Sequence, residues 1–316
     1  MHMLTLADTS GIGVFFQQIE NGVTLGAMYA LVALGYTLVY GIIELINFAH
    51  GDVFMWSTMV TLVVVQAMGI TGALSGMALV GVLVLLIAIG VVVSGGLNVV
   101  IERFAYRPLR RAPRLAPLIA AIGVSFILEN AAQLWRGSSF VAFPAIFPPG
   151  GIHIGSVSIN YLDIFIVVLA VIMMFGLDRL IRLTRMGRAM RATAQDPEAA
   201  SLMGVNINRT IVFTFLIGGA LAGATAVFYN LYIGQVWFLT GFQLGLIAFT
   251  AAVLGGIGNV NGAVLGGFLI GVVKSIAIQY IPSGFQWSDA IVFAILVLIL
   301  VFRPSGLLGQ RVPDKV

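Results

Sequence analysis

Cysteine is absent from this sequence, which removes disulfides and thiolate metal sites from consideration. Charge is scarce. Asp, Glu, Lys and Arg make up 9% of the 316 residues, against about 25% in a typical soluble domain. Lysine occurs only at Lys274 and Lys315, and neither follows a glycine loop, so the Gly-x4-Gly-Lys phosphate cradle of a nucleotidase is missing. The three histidines, His2, His50 and His153, are too far apart to suggest a metal cluster. No Lys or Arg lies in the first 20 residues, so the basic start of a cleavable signal peptide is lacking. Gly256-Ile-Gly258 looks superficially like a dinucleotide fingerprint, but its spacing is wrong. No carboxylates pair along one helix face, and no Ser-His-Asp neighbourhood is present. The sequence offers neither a catalytic centre nor a cofactor site.

What is present is apolar. Hydrophobic residues make up 60% of the chain, against about 45–50% in soluble domains, and no soluble core of this size hides that excess. A crossing needs about 20 apolar residues. The pattern predicts an all-α polytopic membrane protein of eight or nine helices in one domain, 1–316. Spans are expected at 17–40, 52–69, 78–101, 116–135, 161–181, 210–233, 243–256, 263–281 and 290–302. The segments near 41–52 and 255–262 read as discontinuous or re-entrant. Residues 102–114 and 136–160 read as loops, the first held open by prolines 108, 113 and 117.

The basic residues set the orientation. Five of the 16 lie at 102–114, six at 178–209 and three at 303–316. Basic loops stay in the cytosol. Nine crossings place both internal basic loops and the C-terminus inside, and the N-terminus outside. If 36–52 re-enters without crossing, the count is eight and the N-terminus is inside. The formal charge of +4 sits at membrane edges and is not a nucleic-acid signal.

A polar island stands at 191–204, within the loop 183–209. Asp196 is a good N-cap, because its carboxylate accepts the free amides of a first helical turn. Pro197 suits the first helical position, and Glu198 meets the positive end of the helix dipole. Gly204 can take the left-handed conformation that ends a helix. The spacing predicts a two-turn helix over 197–203. Arginines 179, 182, 185, 188 and 191 precede it. On spacing alone this is either an ordinary loop helix or a docking element for a cytosolic partner.

Five blocks in order resemble one family: Asn-Gly-Val-Thr-Leu-Gly at 21–26, Asn-Phe-Ala-His-Gly at 47–51, Arg-Met-Gly-Arg-Ala-Met-Arg-Ala at 185–192, Glu-Ala-Ala-x3-Gly at 198–204 and Val-Leu-Gly-Gly-Ile-Gly-Asn at 253–259. The chain is similar to permease subunits of branched-chain amino-acid ABC importers, the LivH-like family, over nearly its whole length. The resemblance implies a multi-pass subunit in a bacterial or archaeal inner (plasma) membrane. Its implied partners are a second homologous permease, two cytosolic ABC ATPases and a periplasmic substrate-binding protein. ATP and Mg would then be bound by the ATPases. The Glu-Ala-Ala-x3-Gly helix would dock into an ATPase, through Asp196, Pro197, Glu198, Ala199, Ala200, Leu202, Met203 and Gly204. Ala199 and Ala200 are small enough for close approach, and Leu202 and Met203 are apolar anchors. The proline-glycine ending of some other importers is absent.

For the translocation path, Asn47 and His50 at the first interruption either line it or satisfy the broken backbone. Gly255, Gly256, Gly258 and Asn259 at the second either line it or permit close packing. Tyr29 shares a face with Gly22. No role is assigned to Lys274. The acids Glu44, Asp52 and Glu129 keep an ion-coupled secondary transporter open as the alternative. Leucine, isoleucine and valine are the default substrates, with other hydrophobic amino acids, urea and short amides as alternatives. In this cysteine-free chain, Arg107→Cys and Arg188→Cys are expected to resist a membrane-impermeant thiol reagent in intact cells, whereas Ser139→Cys is expected to label. Labelling at 107 or 188 overturns the topology.

Overall fold

The computed structural model describes residues 11–309, apart from 111 and 114. The segment before residue 11, Arg111 and Arg114 of the first basic loop, and the basic tail beyond 309 lie outside the described residues. The helices are α1 (Gly11–Ile43), α2 (His50–Ala67), α3 (Gly76–Ile101), α4 (Arg107–Leu109), α5 (Leu115–Arg136), α6 (Tyr161–Leu183), α7 (Arg185–Gln195), α8 (Pro197–Leu202), α9 (Ile207–Ile233), α10 (Thr240–Gly255), α11 (Val260–Tyr280) and α12 (Gly284–Phe302). Among the described residues seven helices are long and apolar enough to cross a membrane: α1, α3 with its extension through α4, α5, α6, α9, α11 and α12. Helix α10 is apolar but only 16 residues long. Helix α2 carries His50 and Asp52 in its first turn. These nine helices stand where the nine spans were expected, and the chain is an all-α polytopic membrane protein.

Helix α1 is the axis of the bundle, and residues 26–39 on it are buried without interruption. Lipid gives apolar side chains little reason to leave it, so close van der Waals packing must hold the helices together. Glycines supply that closeness. A Cβ on Gly22 would lie 2.6 Å from the Val272 backbone, and one on Gly26 would lie 2.7 Å from Phe268, both on α11. Gly90 of α3 meets Gly223 of α9 in the same way, with 2.1 Å between a Cβ on Gly223 and the Gly90 carbonyl oxygen.

Both interruptions exist. Helix α1 stops at Ile43, and Glu44 takes a positive φ of 52°. The chain folds back, and α2 opens with His50 against Gly35. Gly35 lies eight residues before the end of α1, so α2 starts roughly 12 Å inside that end. The second break follows α10. Asn259 caps α11 by accepting the Gly262 amide at 3.2 Å. The chain after α12 lies along this break, with the amides of Leu307 and Leu308 donating to the carbonyls of Leu254 and Gly255.

Hydrogen bonds sort the loops into two ends. Arg110 donates to Asn208 at 2.7 Å, and Asn259 to the Leu308 carbonyl at 2.7 Å. At the other end Gln17 bonds Ser158, Arg136 bonds Gln66, and Trp237 bonds the Ser138 carbonyl. Both internal basic loops therefore share one end, and the end of α12 joins them there, because Asn259 lines one cavity with Arg182 and Arg191.

Three expectations need correction. The run 102–114 is not simply a loop: a π-helical turn, Glu102–Tyr106, carries α3 on into α4. The wider turn, closed by Arg107 N–H to the Glu102 carbonyl, accommodates Pro108, which has no N–H to offer. The loop 136–160 contains strands. β1 (Val141–Ala142) pairs with β4 (Gln235–Val236), and β2 (Gly151–Ile154) pairs antiparallel with β3 (Val157–Asn160). Gly155, at φ +62°, makes the tight turn of that hairpin. Finally, α12 begins at Gly284, not near 290, and the charge of Asp289 within it is paired with Lys274 of the neighbouring α11.

The Gly90/Gly223 crossing sets a stability prediction. Gly223→Leu is expected to lower the apparent melting temperature in detergent sharply or prevent accumulation. Gly81→Ala, with open space around its Cβ, is expected to leave it unchanged or raise it by a gain of up to about 1 kcal/mol. Equal effects from both would remove the packing argument.

Candidate functional site

At the basic end, Thr184 caps α7 by accepting the Gly187 amide at 3.0 Å. Asp196 caps α8, its Oδ1 accepting the amides of Glu198 at 2.9 Å and Ala199 at 3.0 Å. Gly204 has φ +84°, and the amides of Gly204 and Val205 close on the carbonyls of Ser201 and Ala200. This is the Schellman ending that a glycine at this position permits. Leu202 and Met203 are 88% and 85% exposed. Glu198 and Ala199 are exposed beside them. Ala200 corrects the expectation of two outward alanines: it is 5% exposed, turned onto the protein itself. The outward surface of α8 is therefore Glu198, Ala199, Leu202 and Met203.

The two interruptions converge beside this element. A cavity of about 700 Å³ is lined by Tyr40, Gly41 and Glu44 from the end of α1, by Arg182 and Arg191, and by Gly258 and Asn259. Arg182 is held by Asp178 at 2.7 Å, and Arg191 donates to the Ile181 carbonyl. Nearby, Glu102 is fully buried and takes the Arg110 guanidinium. Burial pushes the Arg110 guanidinium down from its ordinary value, and the Glu102 charge opposes that. The remaining glycines of the second break do other work. Gly255 meets the Gly262 backbone, and Gly256 meets Gly309.

Deeper in the bundle, Asn47 Nδ2 donates to Asn98 Oδ1 at 3.0 Å, and Asn98 Nδ2 donates to the Phe215 carbonyl at 2.6 Å. Tyr106 donates to the Ile46 carbonyl at 3.0 Å. This network ties the segment between α1 and α2 to α3 and α9. His50 is fully buried with its ring edge-on to Tyr36 at 4.8 Å. Asp52, also fully buried, accepts from the Ser125 hydroxyl on α5. Tyr29 stands apart from these groups, 6.0 Å from the Lys274 ammonium. Lys274, without a role in the sequence, pairs with Asp289 of α12 at 2.5 Å. Toward the opposite end, Glu20 and Asp163 line one hollow of about 330 Å³. Sequence reasoning missed Asn98, Ser125, Asp163 and Asp289. Their one signal was a polar residue inside an apolar span, where such residues mark packing partners or pathways. Among the described residues no group of His, Asp and Glu is placed to hold a metal ion.

Broken helices around polar cavities define a polytopic membrane protein of the transporter type, since unpaired backbone at membrane depth is tolerated where protein or water satisfies it. The chain belongs to the family described as branched-chain amino acid transport system, permease component, whose model matches residues 18–300. It is 42% identical over 306 residues to the high-affinity branched-chain amino acid transport system permease protein BraD of Pseudomonas aeruginosa, covering 96% of this chain and 98% of BraD. It is 42% identical over 311 residues to the LivH permease of Escherichia coli K12, with the same coverage. A probable LivH permease of Methanocaldococcus jannaschii is 27% identical over 306 residues, covering 92% of this chain and 91% of that protein. No solved structure matches the chain.

The asparagine pair makes a measurable claim. A double-mutant cycle of Asn47→Ala and Asn98→Ala, read by unfolding in detergent, is expected to give a favourable coupling of about 0.6–1.7 kcal/mol. Zero coupling would mean that the two side chains do not hold the break together.

Proposed function

We propose that this chain is a transmembrane permease subunit of an ATP-binding-cassette importer for branched-chain amino acids. The observation that carries the reading is the match to BraD and LivH at 42% identity over 96% of the chain. The exposed cap of α8 supports it. The complex would contain a second homologous permease, two cytosolic ATPases that bind ATP and Mg, and a periplasmic binding protein that delivers the substrate. The chain itself is a passive conduit. The end bearing α7 and α8 faces the cytosol, with the C-terminus on the same side, and the protein resides in the inner or plasma membrane. In this arrangement α8 is the coupling helix, and the cavity beside it is the cytosolic mouth of the path. Binding of the ATPase at Leu202 and Met203 moves α7, and α7 carries Arg191 on the cavity wall.

The test uses the assembled importer in proteoliposomes. Leu202→Glu and Ala199→Arg place charge on the outward face of α8 and are expected to abolish binding-protein-stimulated ATP hydrolysis while the permease stays inserted. Asp196→Ala should be milder, because a lost N-cap costs about 1 kcal/mol. Normal coupled transport by Leu202→Glu would remove α8 as the coupling element. Gradient-driven leucine uptake by this chain alone would establish an ion-coupled carrier instead. Uptake of urea or short amides in preference to leucine would move the substrate class.

A further inference from the structure

A second cavity, of about 200 Å³, lies between α1, α5 and α10. It is at mid-depth: Ser125 is the eleventh residue of the 22 in α5. Its lining is apolar and aromatic, with Phe48 and Leu246 on the inner side and Ile122, Phe126 and Phe242, all exposed, on the open side. Two residues with polar side chains are also in the lining, Tyr36 and Ser125. Tyr36 Oη stands beside Gly245, where a Cβ would come within 3.0 Å of it. Ser125 donates its proton to Asp52 Oδ2. Its oxygen lone pairs are then left for a donor arriving from the cavity.

Asp52 supplies the second observation. It is fully buried, and its other oxygen, Oδ1, has no hydrogen-bond partner. An unpaired carboxylate in such surroundings is a standing cost, relieved by a cation brought close. Asp52 does not itself line the cavity; it is joined to it through Ser125, which does. The site thus combines a donor-seeking hydroxyl backed by a buried carboxyl with an aliphatic and aromatic pocket. That chemistry suits a small molecule with an ammonium group and a branched aliphatic side chain.

We propose that this cavity is a substrate site within the permease, in which Ser125, backed by Asp52, receives the α-ammonium group and the side chain lies against Leu246, with Phe126 and Phe242 at the open side. The proposal rests on the permease reading above and adds a specificity determinant inside the membrane. Selection for a free ammonium group then occurs in this chain as well as before it.

The test uses the full-length chain in membrane vesicles, with Phe126→Cys as the only thiol. Leucine at tenfold above its dissociation constant should slow labelling by N-ethylmaleimide about tenfold. The probe 4-methylpentanoate, with the same branched skeleton and no ammonium group, should give no protection. Leucine should also leave labelling of Ile172→Cys, on the exposed face of α6, unchanged. Adding Asp52→Asn should remove the protection at 126. Equal protection by 4-methylpentanoate, or protection that survives Asp52→Asn, overturns the ammonium site. The comparison of the two ligands on Phe126→Cys alone decides the matter if Asp52→Asn does not accumulate. A cysteine at 126 that never labels also overturns it, since the cavity would be closed to water and substrate. Leucine uptake by the unmodified assembled importer, with no protection at 126, overturns the site and leaves the permease reading standing. Absence of branched-chain uptake overturns the substrate reading and the site with it.

Discussion

Backbone touching backbone is the contact on which this bundle depends. In lipid a leucine gains little by moving from a neighbouring acyl chain to a neighbouring helix, so association rests on how closely helices approach. Here α1 meets α11 through Gly22, Gly26, Gly267 and Gly271, and α3 meets α9 through Gly90 and Gly223. With those crossings in place, residues 26–39 of α1 are buried without interruption. The short helices α2 and α10 are then held inside a scaffold of longer ones. Gly51 of α2 and Gly241 and Gly245 of α10 repeat the same device at that inner contact. The broken segments survive because this frame surrounds them.

Much of the frame was legible from residue order alone. Hydropathy gave the nine helices and both breaks, because a lipid-spanning helix must be apolar for most of its length. The capped turn at 196–204 was legible because capping is local: Asp196, Pro197 and Gly204 act within one turn of themselves. Local rules also misled. Prolines at 108, 113 and 117 argued for an open loop, yet a widened turn absorbed Pro108 and the helix ran on to Leu109. The Gly155-Ser156 turn between alternating residues was a hairpin signal that went unread.

The site was legible only in part, since its geometry is a matter of which helices are neighbours. Asn47 and His50 were singled out as polar residues at a break, but nothing in spacing pairs Asn47 with Asn98, fifty-one residues away. Asp52 was noticed as a buried acid, whereas Ser125, its partner across the bundle, is an ordinary serine in an apolar run. Ala200 shows the same limit at smaller scale. Beside Ala199 it read as another outward small residue, and one helical step of 100° turns it onto the protein. Lys274 gained a meaning only when α12 brought Asp289 to it.

The strip of chain after α12 has a mechanical consequence. Leu307 and Leu308 bond the last carbonyls of α10, and Asn259, which caps α11, reaches back to the Leu308 carbonyl. Three helices thus share one latch. Each bond is worth about 0.5–1.5 kcal/mol, so parting α10 from α11 at this joint means either releasing the strip or dragging it along. A tilt of α12 would therefore be felt at the cavity lining through Asn259. The least buried of the long helices is in this way fastened to the break between α10 and α11.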